Sequence, residues 1–525
     1  MRKIRYEILP GFRAAAILYE PERLMGKVPA ILNLNGHVGP YGKAIEYKQK
    51  QCINFARHGI IALNLEWFAY GELNQAENSH WYGAHLDLVG ANSIGLFYLA
   101  MRKGLDFLDQ HPNVDRTRLG VTGLSGGGWQ TIILSALDER VAVSIPVAGY
   151  SSLRSRLERG GDVGDLEQNA TDLLVGQDYP HLTAMRAPRP TLLIYNAEDD
   201  CCFRAPLVKP WIYDAIIPFF AMYGKTGNFA WHENLDPATH NYQLDNRLQS
   251  YRFFSHHFGV PEIEDEVGVA GEVKSSTELT VGLPADNLTI LGVARELMAK
   301  RRPRTDRQHL AEIVHYRPVE PRPWSLGNSK HKGLETYSAR FDFSNGLSAT
   351  AVFLKAMSAE PITEVTLCLN DKGKMASAEI VSDCVNRGEA VVAADLLFTG
   401  DCVPRSGASA YTQMLAATGD RPLGLEAAQL IALADMARAF NKASFLRLEV
   451  VGFRSQVIGL VAAALKPGLF REIVVTDGQA SLRYLLTKPV EYKAAPDLFC
   501  LDFFKDFDLD NLIQLAAPTV IRRSE

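Results

Sequence analysis

The sequence predicts an α/β fold, a mostly parallel sheet with helices on both faces, followed by a second, shorter α/β domain. Three observations carry this. Short apolar runs alternate with helical stretches from residue 29 onward, the pattern of parallel strands joined by crossover helices. The stretch 119–137 reads as strand, tight turn and apolar helix around Gly123-Leu124-Ser125-Gly126-Gly127. Scaffold positions of the first half recur in the second at one offset: Gly59 and Gly388, Arg118-Leu119 and Arg447-Leu448, Gly149 and Gly478 all lie 329 residues apart.

Taken in order, residues 4–20 form two strands joined by Pro10-Gly11. Residues 29–34 form a buried strand ending in Asn35-Gly36-His37. A helix over 47–58 stops at Gly59, and a strand follows over 60–65. The polar and aromatic loop 66–82 leads into one long helix over 88–110. Strands follow at 119–122, 141–147 and 191–195, and a closing helix ends near His257. In such a sheet the ligand lies beyond the carboxyl ends of the strands, so the loops there supply the candidate residues.

Composition narrows the class. The chain has 525 residues, 47% of them hydrophobic and 22% charged, with a net charge of −5. No basic run with interleaved aromatics suggests nucleic acid, and no apolar run reaches membrane-spanning length. Seven scattered cysteines do not make a disulfide framework. The N-terminus lacks the apolar core of a signal peptide, so a cytoplasmic location is expected, or a secreted one if a leader has been removed.

The turn at Ser125 has the residues that nucleophilic chemistry needs. Small neighbours admit a strained backbone, and the helix start offers free N–H groups to a developing oxyanion. In this order of elements an acid and then a histidine complete a triad. Asp199 lies just past the strand 191–195, with Asp200 as its rival. His240 lies in a turn before the closing helix, with His232, His256 and His257 as competitors. The expected triad is Ser125, Asp199 and His240, and the expected oxyanion donors are the amides of Gly126 and His37. Trp67, Tyr70 and Trp81, with Phe68 and Tyr82, are candidates for stacking on a sugar or an aromatic acyl group. Cys201-Cys202 is read as packing behind the acid loop. No metal or cofactor is expected.

Asn35-Gly36-His37, Gly123-Leu124-Ser125-Gly126-Gly127-Gly128-Trp129, Asn196-Ala197-Glu198-Asp199-Asp200 and Thr239-His240-Asn241 together resemble bacterial α/β-hydrolases. The resemblance is to the acetylxylan-esterase-like and dienelactone-hydrolase-like group, and it covers roughly residues 5–258. It implies an α/β-hydrolase fold and a serine hydrolase cleaving a carboxylic ester, such as an acetyl ester of a carbohydrate or a small molecule. A peptidase of the same fold, and a non-catalytic binding protein with two pseudo-symmetric halves, are the rival readings.

The expected boundaries are 1–258 for the catalytic domain, 259–334 for a connector and 335–525 for a degenerate, non-catalytic copy. At the offset of 329 Ser125 falls opposite Arg454, and the elbow glycines are replaced by Ser455, Gln456 and Val457. Glu66 faces Asp395, an acid in both halves, which favours a structural role for Glu66. The copy is expected to lack a counterpart to Asp199 or His240, and to have a sheet edge that the first domain or another subunit of a homo-oligomer must cover.

Overall fold

The computed structural model describes residues 1–24, 26–269, 271–359 and 364–524. It divides into two compact units. The first comprises Met1–Gly83 and Ser93–Val293; the second comprises Ala84–Asn92 and the chain from Ala294 onward.

The first unit is built on an eight-stranded sheet: β1 (Arg2–Leu9), β2 (Phe12–Tyr19), β3 (Val28–Leu34), β4 (Ile61–Leu65), β5 (Val114–Leu124), β6 (Val141–Val147), β7 (Thr191–Asn196) and β8 (Phe229–Asn234). Its order is β1-β2-β4-β3-β5-β6-β7-β8. The β1–β2 and β2–β4 pairs are antiparallel and all later pairs are parallel. Strands β3, β4, β6 and β7 and the second half of β5 are almost wholly buried, because helices cover both faces. This is the α/β-hydrolase fold.

Two elements differ from the sequence reading. The expected helix over 88–110 is two helices, Gly83–Leu88 and Ser93–Asp109, broken where Gly90 takes a φ of +83°. Strand β8 is unexpected; Phe-Ala-Trp-His-Glu-Asn lacks an apolar run, and its middle residues are only half-buried on the sheet's edge.

Residues 259–334 do not stand apart as a connector. The part up to Val293 belongs to the first unit and the part from Ala294 to the second. Polar contacts hold the former in place. Arg247 pairs with Glu266, the backbone N–H groups of Val281 and Gly282 donate to Glu72, and the Arg13 N–H donates to Asn287. The later part contributes a strand to the second sheet.

That sheet contains β9 (Pro321–His331), β10 (Leu334–Phe343), β11 (Ser348–Ala356), β12 (Glu364–Asn370), β13 (Ala390–Asp395), β14 (Phe445–Val451), β15 (Glu472–Thr476) and β16 (Val520–Arg523). From β10 to β16 its order is β10-β11-β13-β12-β14-β15-β16, the pattern of β1 through β7 in the first sheet. Strand β9 is added at the β10 edge, pairing antiparallel.

A buried ion cluster recurs as well. Lys43 Nζ meets Glu66 at 2.9 Å and also pairs with Glu72, while the Lys43 and Glu72 N–H groups donate to the Glu66 carboxylate. Lys374 Nζ meets Asp395 at 2.7 Å and pairs with Asp401, with the same two backbone bonds. The cluster ties the loop after β3 to the loop after β4 in the first unit, and the loop after β12 to the loop after β13 in the second.

Candidate active site

Strand β5 ends at Leu124, and the helix Gly126–Leu137 begins two residues later. Ser125 makes the turn with φ +60° and ψ −123°, a conformation an L-residue holds only at a cost. Close packing imposes it. A Cβ on Gly123 would lie 2.7 Å from Leu34 O and from the Gly127 carbonyl carbon, and one on Gly127 would lie 2.6 Å from Leu34 O. Strand and helix therefore touch backbone to backbone, and the serine stands out at the helix N-terminus. Its hydroxyl has no hydrogen-bond partner among the described residues.

The acid and the histidine come from the loops after β7 and β8. His240 Nδ1 donates to Asp199, 2.9 Å from Oδ2 and 3.0 Å from Oδ1. Asp199 is held by its own neighbours: Oδ1 accepts the Cys201 and Cys202 N–H groups at 3.0 Å each, and Oδ2 accepts Asn196 Nδ2 at 2.8 Å. Burial works against its charge, but the hydrogen bond and charge of His240 and these donors hold the carboxyl below its ordinary pKa. For His240 burial also opposes the charge, yet Asp199 outweighs it and raises the imidazole pKa. Asp200 has a different task, since its Oδ1 accepts the backbone N–H of His240 at 2.9 Å. Among the competitors, His232 bonds Asp245, and His256 and His257 lie in the last turn of the helix Leu244–Phe258.

On the other side of Ser125 lies the loop after β3. Asn35 anchors it, donating to Leu65 O and accepting the buried Lys48 ammonium at 2.6 Å, with Gln130 donating to Asn35 O. The His37 ring comes so close to Gly126 that a Cβ there would sit 3.2 Å from its Cε1. Cys201 lies on the acid side, its Sγ 3.1 Å from that of Cys202. The bond from Cys202 lowers its thiol pKa, burial opposes this, and the charges of His240 and His37 assist.

Sequence reasoning missed the partners of the His37 imidazole. Nε2 is 2.7 Å from Asp165 Oδ2 and 3.7 Å from Glu167 Oε1. Burial opposes its charge, but these carboxylates lift its pKa to about 10. Glu167 in turn meets His80 Nδ1 at 3.1 Å. These residues come from loops after β3, β4 and β6, so no local spacing signals them.

Of the stacking candidates, Trp67 is only 3% exposed. A Cβ on Gly126 would meet its ring at 2.6 Å, and it packs on His37, His80 and Tyr70. It forms a wall that supports the helix start and has no face free for a sugar. Tyr70 is half-buried in the same cluster, and Trp81 is half-buried on the turn His80–Tyr82.

The second unit differs at the matching place. The register Leu34 with Gly123 in one sheet and Leu369 with Val450 in the other sets Gly452, not Arg454, where Ser125 stands. The backbone bonds agree: Ser125 N donates to Val147 O, and Gly452 N donates to Thr476 O. In register β14 lies 327 residues after β5, two fewer than the sequence offset of 329, so that offset misplaces the turn. The helix Phe453–Leu465 already holds an anion, because Asp371 accepts the Arg454 and Ser455 N–H groups and the Ser455 hydroxyl. The Arg454 guanidinium is paired with Asp497 at 2.8 Å and Glu426 at 3.5 Å.

The fold and the carboxyl-end site define an α/β-hydrolase. The acetyl xylan esterase family model matches residues 2–165, under a third of the chain. Among curated protein sequences none matches. Among solved structures, the methylesterase BT1017 is 22% identical, with a TM-score of 0.46, covering 57% of this chain and 66% of its own. An acetyl xylan esterase described as putative, from Bacteroides fragilis, is 19% identical with a TM-score of 0.37, covering 44% and 66%. A carbohydrate esterase family 15 glucuronoyl esterase from Caldicellulosiruptor kristjansonii is 15% identical with a TM-score of 0.34, covering 53% and 80%. The chain thus spans just under two thirds of the first two structures. The fold is that of the α/β-hydrolases, and the family-model match is confined to residues 2–165 of the first unit.

Proposed function

We propose that the first unit is a serine hydrolase acting on a small-molecule or carbohydrate ester, with an acetyl ester of a carbohydrate as the favoured substrate class. Ser125 Oγ attacks the ester carbonyl and passes its proton to His240 Nε2. Asp199 fixes the tautomer that leaves Nε2 free to accept, and it stabilises the imidazolium that forms. The Gly126 and His37 N–H groups bind the oxyanion. The alcohol leaves with the proton from His240, and water then hydrolyses the acyl-serine by the same route.

The observation that carries this reading is the Asp199–His240 bond, formed by loops beyond the ends of two adjacent strands of the sheet whose β5 presents Ser125. The acetyl xylan esterase match over residues 2–165 supports the substrate class. The second unit, with Gly452 in the serine's place and Asp371 on its helix terminus, has no part in the chemistry.

Purified chain tested on p-nitrophenyl esters of rising acyl length, acetylated xylo-oligosaccharides and peptide anilides decides the matter. Acetyl esters should turn over, and Ser125→Ala should lose about 10⁶ in kcat while remaining folded. Hydrolysis of anilides but not esters, or a mutant keeping a tenth of wild-type activity, would refute the proposal.

A further inference from the structure

The cluster behind the His37 ring poses a charge problem that hydrogen bonds do not solve. His80 Nε2 faces the Phe68 carbonyl at 3.1 Å, and a carbonyl only accepts, so Nε2 carries the proton. That leaves Nδ1 aimed at Glu167 Oε1, 3.1 Å away. A neutral ring would set two lone pairs against each other there, so something positive must lie between them. His37 Nε2 poses the same demand, with Asp165 at 2.7 Å and Glu167 at 3.7 Å. Two protons would meet both demands, but they would leave Glu167 Oε2 as it stands, wholly buried and without a hydrogen-bond partner. A buried carboxylate oxygen left bare is costly.

We propose that His37, His80, Asp165 and Glu167 form a binding site for a divalent cation of the zinc class. One such ion answers all three observations. It supplies the two positive charges that two carboxylates require, accepts the lone pairs of both imidazoles, and gives Glu167 Oε2 a partner through bidentate ligation. The four donor atoms already lie within 4.8 Å of one another. Bonds of about 2.0–2.1 Å would set donors from different residues about 3–3.5 Å apart, so shifts of about an ångström or less suffice. The Phe68 carbonyl that fixes the His80 tautomer is the outer partner a metal-bound imidazole usually has. Mixed nitrogen and oxygen donors suit Zn²⁺, Co²⁺ or Ni²⁺ better than Ca²⁺. The ion would tie the loop carrying His37 to the segment 163–169, next to Gly126. The site stands independently of the role assigned to Ser125.

The test uses the full chain, dialysed against chelator, checked for fold by circular dichroism, and titrated with ZnCl₂ by calorimetry and with Co²⁺ by absorption. Expected are one equivalent of Zn²⁺, and ligand-field bands of five-coordinate Co²⁺ with no thiolate charge-transfer band. Glu167→Gln and His80→Gln should each weaken binding at least about tenfold. Should Glu167→Gln not fold, Asp165→Asn replaces a half-exposed ligand and should weaken binding likewise. Cys201→Ser should bind as wild type. No uptake by the wild type would overturn the proposal, as would undiminished uptake by folded His80→Gln and Asp165→Asn. A charge-transfer band abolished by Cys201→Ser would overturn it too, moving the ion to Cys201, Cys202 and His240, the other set of close donors.

Discussion

Replacing Asp199 by asparagine changes one atom of the proposed site, and the surroundings dictate how the new amide must sit. Both carboxylate oxygens already accept protein donors: Oδ1 from Cys201 and Cys202, Oδ2 from Asn196. Asn196 cannot turn round to help, because its own oxygen accepts from Asn241 and Asn246. The two N–H groups at Oδ1 outnumber the single donor at Oδ2, so the amide oxygen keeps the Oδ1 place. Its NH₂ takes the Oδ2 place and donates to His240 Nδ1. The imidazole proton then moves to Nε2, which can no longer accept from Ser125. By the measured effect of the same change in a serine protease, kcat falls about 10⁴-fold, about 5.5 kcal/mol in the barrier. Asp200→Asn keeps a carbonyl for the His240 backbone N–H and should cost less than about tenfold. Initial rates on p-nitrophenyl acetate, beside thermal melts of both mutants, give the comparison. If Asp200→Asn is the more damaging, or Asp199→Asn keeps a tenth of the activity, the reasoning fails.

Three further outcomes are expected. His240 must be neutral to act as a base and its pKa is raised, so kcat/KM should climb with pH through a midpoint above the ordinary 6.5 of histidine. In Asp199→Asn that limb should move to lower pH, and an unmoved limb would assign it to another group. Lys43→Met leaves the Glu66 carboxylate buried with only weakly compensating backbone donors, and urea denaturation should register a loss of about 3–5 kcal/mol; a loss under about 1 kcal/mol would show the ion cluster to be idle. Ser125→Gly should abolish activity yet raise stability by about 1 kcal/mol, because glycine holds a positive φ without strain; a lower melting temperature would contradict the strain argument.

Much of the first sheet is legible in the sequence because its strands are buried on both faces and so read as continuous apolar runs. Strand β8 escapes, being half-buried and polar at His232, Glu233 and Asn234. The helix over 88–110 fails for a local reason: the apolar pattern continues across Gly90, and only the backbone shows that the chain turns there. Ser125 carries a turn signature, and Asp199 and His240 follow strands in the expected order, so candidates could be named. Choosing Asp199 over Asp200 takes atoms, since one accepts the ring and the other the backbone of the same histidine. His80, Asp165 and Glu167 give no sequence signal. They meet only because loops from three separated strands converge. The second half teaches a related lesson. Repeated glycines suggest that Arg454 matches Ser125, whereas hydrogen-bond register places Gly452 there.

The carboxylate of Asp371 has a bearing on what the second unit can become. Installing a serine at position 452 would drive its Cβ into Asp371 Oδ2, so that change cannot come first. Removing Asp371 first strips three donors of their acceptor and leaves the helix Phe453–Leu465 without its cap. Either opening move therefore loses stability and returns no activity. A population exploring single substitutions meets a downhill step in both directions, and the unit behaves as a one-way ratchet. Its site is closed to hydrolysis by the order in which mutations would have to arrive, and selection remains free to reshape its other surfaces.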